Sequence, residues 1–245
     1  MPDLELSNFE CLALDFDGTL ADSQGTHMTA RLMAFDELAA DTKDERFSLV
    51  EDAIHKEAQR HGHRSVEIIG WVLQQAGITT EVITDLAKEV AEIKKELYWN
   101  LAKAGLPEVE GAADFVRLAH GHLPDLAIVT TGYRDTEVLP YLEKYDLTDF
   151  FDERDLITRE DTGEITKPHP RPYLQLILRQ AILPDELLAV EDSPRGIESA
   201  NMAGAVVVGL ANTHTREELE RGQGVQKPYA VADSFLHLGK LIHIA

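Results

Sequence analysis

The sequence predicts an α/β fold in which a parallel-sheet core is interrupted by an inserted helical domain. Three observations predict it. Short, nearly continuous apolar runs recur and alternate with helical periods, as expected of strands buried on both faces. The stretch from about Ser23 to Gly105 carries helical periods and no strand pattern. The segment "GLPEVEG", Gly105 to Gly111, then returns the chain to the alternation with the glycine and proline content of a hinge.

The first run, Phe9 to Phe16, reads as a buried strand closed by a carboxylate and a glycine. Three apolar stripes at helical spacing follow: Met28, Leu32, Phe35 and Ala39; Val66, Ile69, Leu73 and Ala76; and Val82, Leu86, Val90, Ile93, Leu97 and Leu101. Thr80 is placed to cap the third stripe and Gly105 to close it. Beyond the hinge come a helix over Gly111–His120, a strand at Leu126–Val129 and a helix over Tyr173–Ala181. Strands at Leu187–Val190 and Ala205–Leu210 follow, with a weaker one at Tyr229–Ala232 and a closing helix through Phe235, Leu238 and Leu241. The expected architecture is a Rossmann-like parallel-sheet core of residues 1–22 and 107–245, with a helical cap of residues 23–106 moving on hinges near Ala21–Gln24 and Leu106–Gly111.

At 245 residues and 44% hydrophobic content the chain can bury a sizeable core. Its 44 acidic against 23 basic residues give a net charge of -21, and without a basic stripe this argues against a nucleic-acid partner. The same charge repels anionic substrates, so a site for a phosphate must supply its own cation and aimed donors. The single cysteine, Cys11, excludes a disulfide framework and a cysteine zinc site and suits the cytoplasm. With no leader-like segment and no apolar span of membrane length, a soluble chain without a membrane partner is expected.

Parallel-sheet proteins bind ligands at the carboxyl ends of their strands, and four loops stand there. "DFDGTLADS" holds Asp15, Asp17, Gly18 and Thr19; "IVTTGYRDT" holds Thr130, Thr131 and Gly132; "ITKPHPRPY" holds Lys167; "LAVEDSPRGIESANMAG" holds Glu191, Asp192, Ser193 and Gly196. Each alone is an ordinary turn, cap or surface residue. Together, a carboxylate, a hydroxyl, an ammonium and a carboxylate pair suit a single task.

These segments resemble the four motifs of the haloacid dehalogenase-like superfamily of phosphotransferases, and the inserted region resembles the small helical cap of its β-phosphoglucomutase and phosphoglycolate phosphatase subgroup. The resemblance implies a Mg²⁺-dependent phosphatase acting on a small phosphorylated metabolite of sugar, polyol or glycolate phosphate type. Asp15 would be the nucleophile that forms an aspartyl phosphate, and Asp17 the acid that protonates the leaving group and then the base that activates water. Asp15, Asp192 and Glu191 offer the hard oxygen ligands Mg²⁺ prefers, to which similarity adds the backbone carbonyl of Asp17. The Thr130 hydroxyl and the amides near Thr131 and Gly132 would hold phosphoryl oxygens, while Lys167 offsets their charge. Many relatives carry Asn or Ser where Thr131 stands, so one side-chain contact is expected to differ.

In the cap, "GHRS" places Arg64 before a helix; in several relatives a similar arginine faces substrate, while the alternative is a surface arginine beside a cap at Ser65. Lys56, His55, His61 and His63 read as solvated. A phosphomutase using the same chemistry is the second reading, and a binding protein that has lost catalysis the third. The substrate's identity and the oligomeric state stay open at this level.

Overall fold

The computed structural model describes residues 4–43, 65–75, 77, 80–123 and 125–244. Its apolar runs form one six-stranded sheet: β1 (Cys11–Leu14), β2 (Leu126–Val129), β3 (Leu156–Ile157), β4 (Leu187–Glu191), β5 (Val206–Leu210) and β6 (Ala230–Ala232). The spatial order is β3-β2-β1-β4-β5-β6, and every neighbouring pair is parallel. Leu12 lies opposite Leu126 on one side and Leu188 on the other. The α/β class is therefore as expected, and β3 is the strand the sequence hides, because two residues are too few to show a period.

The sheet explains why its strands read as continuous apolar runs rather than alternating ones. Successive side chains point to opposite faces, and both faces are covered, so all of β1, β2 and β4 is buried. On one face Cys11, Ala13, Ala127, Val129 and Ala189 pack with Tyr173, Leu176, Ile197 and Ala200. The last four lie on the helices Arg171–Gln180 and Pro194–Ala203. Within this layer the Cys11 thiol is fully buried, and burial raises its pKa far above that of a free thiol.

The chain divides into two compact units, residues 1–22 with 105–245, and residues 23–104. Gly105 and Leu106, read from sequence as the end of the helical insertion, cluster with the sheet unit because the Lys144 ammonium donates to both of their carbonyls. The outgoing and returning chains pair here: Ala21 bridges Glu108 antiparallel, the Asp22 N–H donates to Pro107 O at 2.8 Å, and the Val109 N–H to Leu20 O at 2.8 Å. The two segments read as hinges thus include a short hydrogen-bonded ribbon.

The second unit contains α1 (Gln24–Thr42), α2 (Ser65–Gln75) and α3 (Thr80–Ala102), with α1 and α2 both packed on α3. Its core is Ala34, Phe35, Leu38, Ile69, Val72, Leu73, Ile83, Ala87 and Val90. The stripes read in sequence face this core: Phe35, Ile69, Leu73 and Val90 lie within it and Met28, Leu32, Ala39, Leu86, Ile93 and Leu97 pack against it, though the faces are wider than the stripes. Val66 is 36% exposed, whereas Ile83 and Ala87 are buried. A polar cluster accompanies this core. Lys94 is buried and donates to His27 Nδ1 at 2.9 Å, and the His27 ring stacks on Tyr98 with centroids 4.0 Å apart. Burial, with the charges of Lys94 and Arg31, pushes the His27 pKa well below its ordinary value, so the ring is a neutral acceptor. Among the described residues no helix is long and apolar enough to cross a membrane.

Candidate active site

The strand order reverses between β1 and β4, whose chain neighbours run outward in opposite directions. A crevice opens at the carboxyl ends of such strands, where adjacent loops part to opposite faces. Both strands end in acids at this point. Asp15 follows β1, its N–H bonded to Val190 O at 3.0 Å; Glu191 is the last residue of β4, and Asp192 follows it. All three carboxyls are buried, and one oxygen from each lies within 4.8 Å of the others. Asp17, two residues past Asp15, is partly exposed and contributes no carboxylate to this cluster.

Lys167 enters from the loop ahead of the helix Arg171–Gln180 and is itself buried. Its ammonium is 2.5 Å from Asp15 Oδ1, 2.6 Å from Glu191 Oε1 and 2.7 Å from Val129 O, so one cation ties the ends of β1, β4 and β2 together. The loop is held by Arg195, which donates to Lys167 O at 2.7 Å, and by the Ser199 hydroxyl, which donates to His169 O at 2.7 Å. Burial alone lowers a lysine pKa. Here Asp15 and Glu191 outweigh it, and the ammonium is held charged.

One ammonium does not balance three carboxylates. Burial and the charge of Asp15 raise the pKa values of both Glu191 and Asp192 above the ordinary carboxylate range. The Tyr173 hydroxyl donates to Glu191 Oε1 at 2.5 Å, yet Glu191 Oε2 is buried with no hydrogen-bond partner. Surplus negative charge, an orphaned carboxylate oxygen and an all-oxygen donor set together suit a divalent metal, and a hard one rather than a thiophilic one.

At the end of β2, Thr130 is 1% exposed and its hydroxyl oxygen accepts the Gly132 N–H at 2.9 Å, closing a turn with Thr131 at its tip. Gly132 has no room for a side chain, since a Cβ there would meet the Glu137 carboxylate, whose Oε1 accepts the Tyr133 N–H at 3.0 Å. The turn stands beside the Lys167 anchor at Val129. Arg64, with Lys56, His55, His61 and His63, lies outside the described residues.

The model of the haloacid dehalogenase-like hydrolase family matches residues 12–210. The chain belongs to this family. Among its relatives the phosphoglycolate phosphatase of Salmonella typhimurium is 26% identical over 241 residues, spanning 94% of this chain and 91% of its own. The phosphorylated carbohydrates phosphatase of Thermotoga maritima is 29% identical over 133 residues, which is 54% of this chain and 58% of its own. In fold, the chain is similar to a solved hydrolase of the same family from Deinococcus radiodurans with bound phosphate and sodium. The TM-score is 0.69 at 22% identity, with 97% of this chain and 96% of that one covered.

The region matched to the haloacid dehalogenase-like hydrolases contains every candidate site residue singled out from sequence, and the structure gathers Asp15, Lys167, Glu191 and Asp192 within direct reach. Sequence reasoning missed Tyr173, which falls in the quoted "KPHPRPY" segment but reads as an apolar helix position. It also missed Thr213, whose hydroxyl donates to Asp192 Oδ2. Its place just beyond the apolar run of β5 is the signal that could have found it. Gly196 has a role the sequence showed only as a helix opening: a Cβ at this position would fall on the Glu191 carboxylate. Gly196→Ala is therefore expected to displace Glu191 and to destabilise the protein by about 1–3 kcal/mol. Urea denaturation of variant and wild type measures this, and an unchanged midpoint would show that the carboxylate relocates freely.

Proposed function

We propose that the chain is a Mg²⁺-dependent phosphoric monoester hydrolase of the cytoplasm. It would cleave a small phosphorylated metabolite of the sugar, polyol or glycolate phosphate type through an aspartyl phosphate. Residues 1–22 and 107–245 form the catalytic core, and residues 23–106 a cap that selects substrate. One observation carries this reading: three buried carboxylates cluster where the strand order reverses, two of them paired with a single buried ammonium. The names of the relatives, phosphoglycolate phosphatase and phosphorylated carbohydrates phosphatase, support the substrate class.

In this mechanism a carboxylate oxygen of Asp15 bonds to phosphorus as the ester bond breaks. Asp17 gives its proton to the departing alkoxide, then takes one from the water that attacks the aspartyl phosphate, which returns the Asp15 carboxylate and frees inorganic phosphate. Two carboxyls two residues apart suit these separate tasks because Asp15 is paired with an ammonium and buried whereas Asp17 is partly exposed. Lys167 offsets charge on the phosphoryl oxygens, and Thr130 with the amides of Thr131 and Gly132 orients them. Arg64 is proposed to reach the substrate from the cap. Asp15, Asp192, Glu191 and the Asp17 carbonyl would hold Mg²⁺, which when bound supplies positive charge against the repulsion between an anionic ester and an acidic site.

The test is phosphate release from a panel of sugar, polyol and two-carbon phosphates, with Mg²⁺ and with chelator, using Asp15→Ala as control. Release from at least one ester, dependent on Mg²⁺ and lost in the control, is expected. No release by folded wild type overturns the hydrolase reading, and conversion of a sugar phosphate to its isomer without free phosphate replaces it with the mutase.

A further inference from the structure

Past the end of β5 the chain runs Ala211, Asn212, Thr213, His214 and Thr215, beyond the segment matched to the family. Three consecutive side chains of this loop reach the site. The Asn212 amide donates to Gly18 O at 2.9 Å. The Thr213 hydroxyl donates to Asp192 Oδ2. His214 Nδ1 lies 3.1 Å from Asp192 O and 3.2 Å from Thr213 Oγ1, so the Nδ1–H tautomer donates to both. Packing joins the same groups. A Cβ on Gly18, whose φ is +81°, would strike the Asp192 carboxylate and the Thr213 methyl group, so turn, carboxylate and loop fill one shared space.

The loop has the rigidity such a contact needs. Its start is pinned by the Ala211 N–H donating to Ala232 O at 2.8 Å. Its end is fixed by Thr215, which caps the helix Arg216–Glu220 by accepting the Glu218 N–H at 3.2 Å, while the Glu218 carboxylate accepts the Thr215 N–H at 2.8 Å. A neutral donor on one carboxylate oxygen selects a side-chain rotamer without cancelling the charge. It therefore orients a metal ligand without competing with the metal, as an added cation does.

We propose that Thr213 is a positioning residue for the divalent cation. It sets the Asp192 carboxylate, while Asn212 and His214 lock the loop to the Asp17–Gly18 turn and to the Asp192 backbone. This inference rests on the reading of Asp15, Glu191 and Asp192 as the metal-holding set.

The experiment titrates Mg²⁺ alone into wild type, Thr213→Val, Thr213→Ser and Asn212→Ala by calorimetry, and records the urea midpoint of each metal-free protein. Valine keeps the shape and removes the donor. Thr213→Val is expected to weaken Mg²⁺ binding by about 10- to 100-fold, with serine restoring it to within a fewfold. A structural role alone would lower the midpoint and leave affinity intact. Should the valine variant fail to fold, Thr213→Ser at wild-type affinity with Asn212→Ala weakened supports the proposal, and both at wild-type affinity overturns it. Wild-type affinity in Thr213→Val overturns it while leaving the metal site standing, whereas no Mg²⁺ binding by wild type overturns both.

Discussion

Asp15→Asn is expected to abolish phosphate release, by roughly a thousandfold or more, while leaving the metal-free protein at least as stable as wild type. The first half follows from the nucleophilic role proposed for Asp15, for which an amide is no substitute. The second half follows from the charge inventory of the crevice. Three buried carboxylates face one ammonium, and the charge of Asp15 is among the causes that raise the pKa values of Glu191 and Asp192. Asparagine removes that repulsion yet still offers an oxygen to Lys167. A gain of about 1 kcal/mol in the absence of metal is the expected sign and scale, since a site poised for chemistry is held at some expense of stability. Phosphate release and urea unfolding on the same preparation check both halves. A variant as inactive as expected but markedly less stable would mean that the Asp15–Lys167 pair outweighs the repulsion.

The opposite change is expected to be severe. Among the described residues, Lys167→Met removes the one cation bonded to Asp15 and Glu191 and leaves three carboxylates buried together. Breaking a buried pair from one side costs about 3–5 kcal/mol, because the remaining charge stays uncompensated. Turnover should fall by on the order of a hundredfold or more from the loss of an aimed cation. The pH dependence has a definite sign. A carboxyl whose folded pKa lies above its unfolded value takes up a proton on folding. Its penalty is therefore greatest above the folded value and vanishes as pH drops below the unfolded one, which for Glu191 is near 4.5. The stability deficit of Lys167→Met should thus shrink as pH falls toward that value, and Mg²⁺ should raise the variant's unfolding midpoint more than that of wild type. Denaturation series at several pH values, with Mg²⁺ and with chelator, measure both.

The fold was legible wherever burial acts on a run long enough to leave a pattern. Strands covered on both faces read as unbroken apolar stretches, and a strand ending in Asp15 or Glu191 announces its carboxyl edge because an acid is costly inside and useful at a crevice. β3 left no pattern because it is two residues long. The helices of the second unit were legible as periods, but their buried faces extend beyond the stripes, as Ile83 and Ala87 show. A helical stripe is wide, and its centre is set by the neighbouring helix rather than by its own residues. Polar positions inside that unit, Lys94 with His27, carried no sign in the sequence that they would pair, with Lys94 buried. At the site, chemistry-bearing residues were legible from residue type and place. Tyr173 and Thr213 were not, nor was the reason for Gly196, because they act through Glu191 and Asp192 and have no chemistry of their own to betray them.

The central position of β1 bears on how the molecule comes together. Its partners on either side, β2 and β4, begin at Leu126 and Leu187, so every hydrogen-bonded neighbour of this apolar strand lies more than a hundred residues downstream. As the chain leaves the ribosome, β1 emerges long before anything can pair with it. The helical unit that follows is built from contacts close in sequence and can close first. The strand that carries Asp15 to the sheet edge is thus made long before its partners, and the crevice beside it cannot form until β4 has been added.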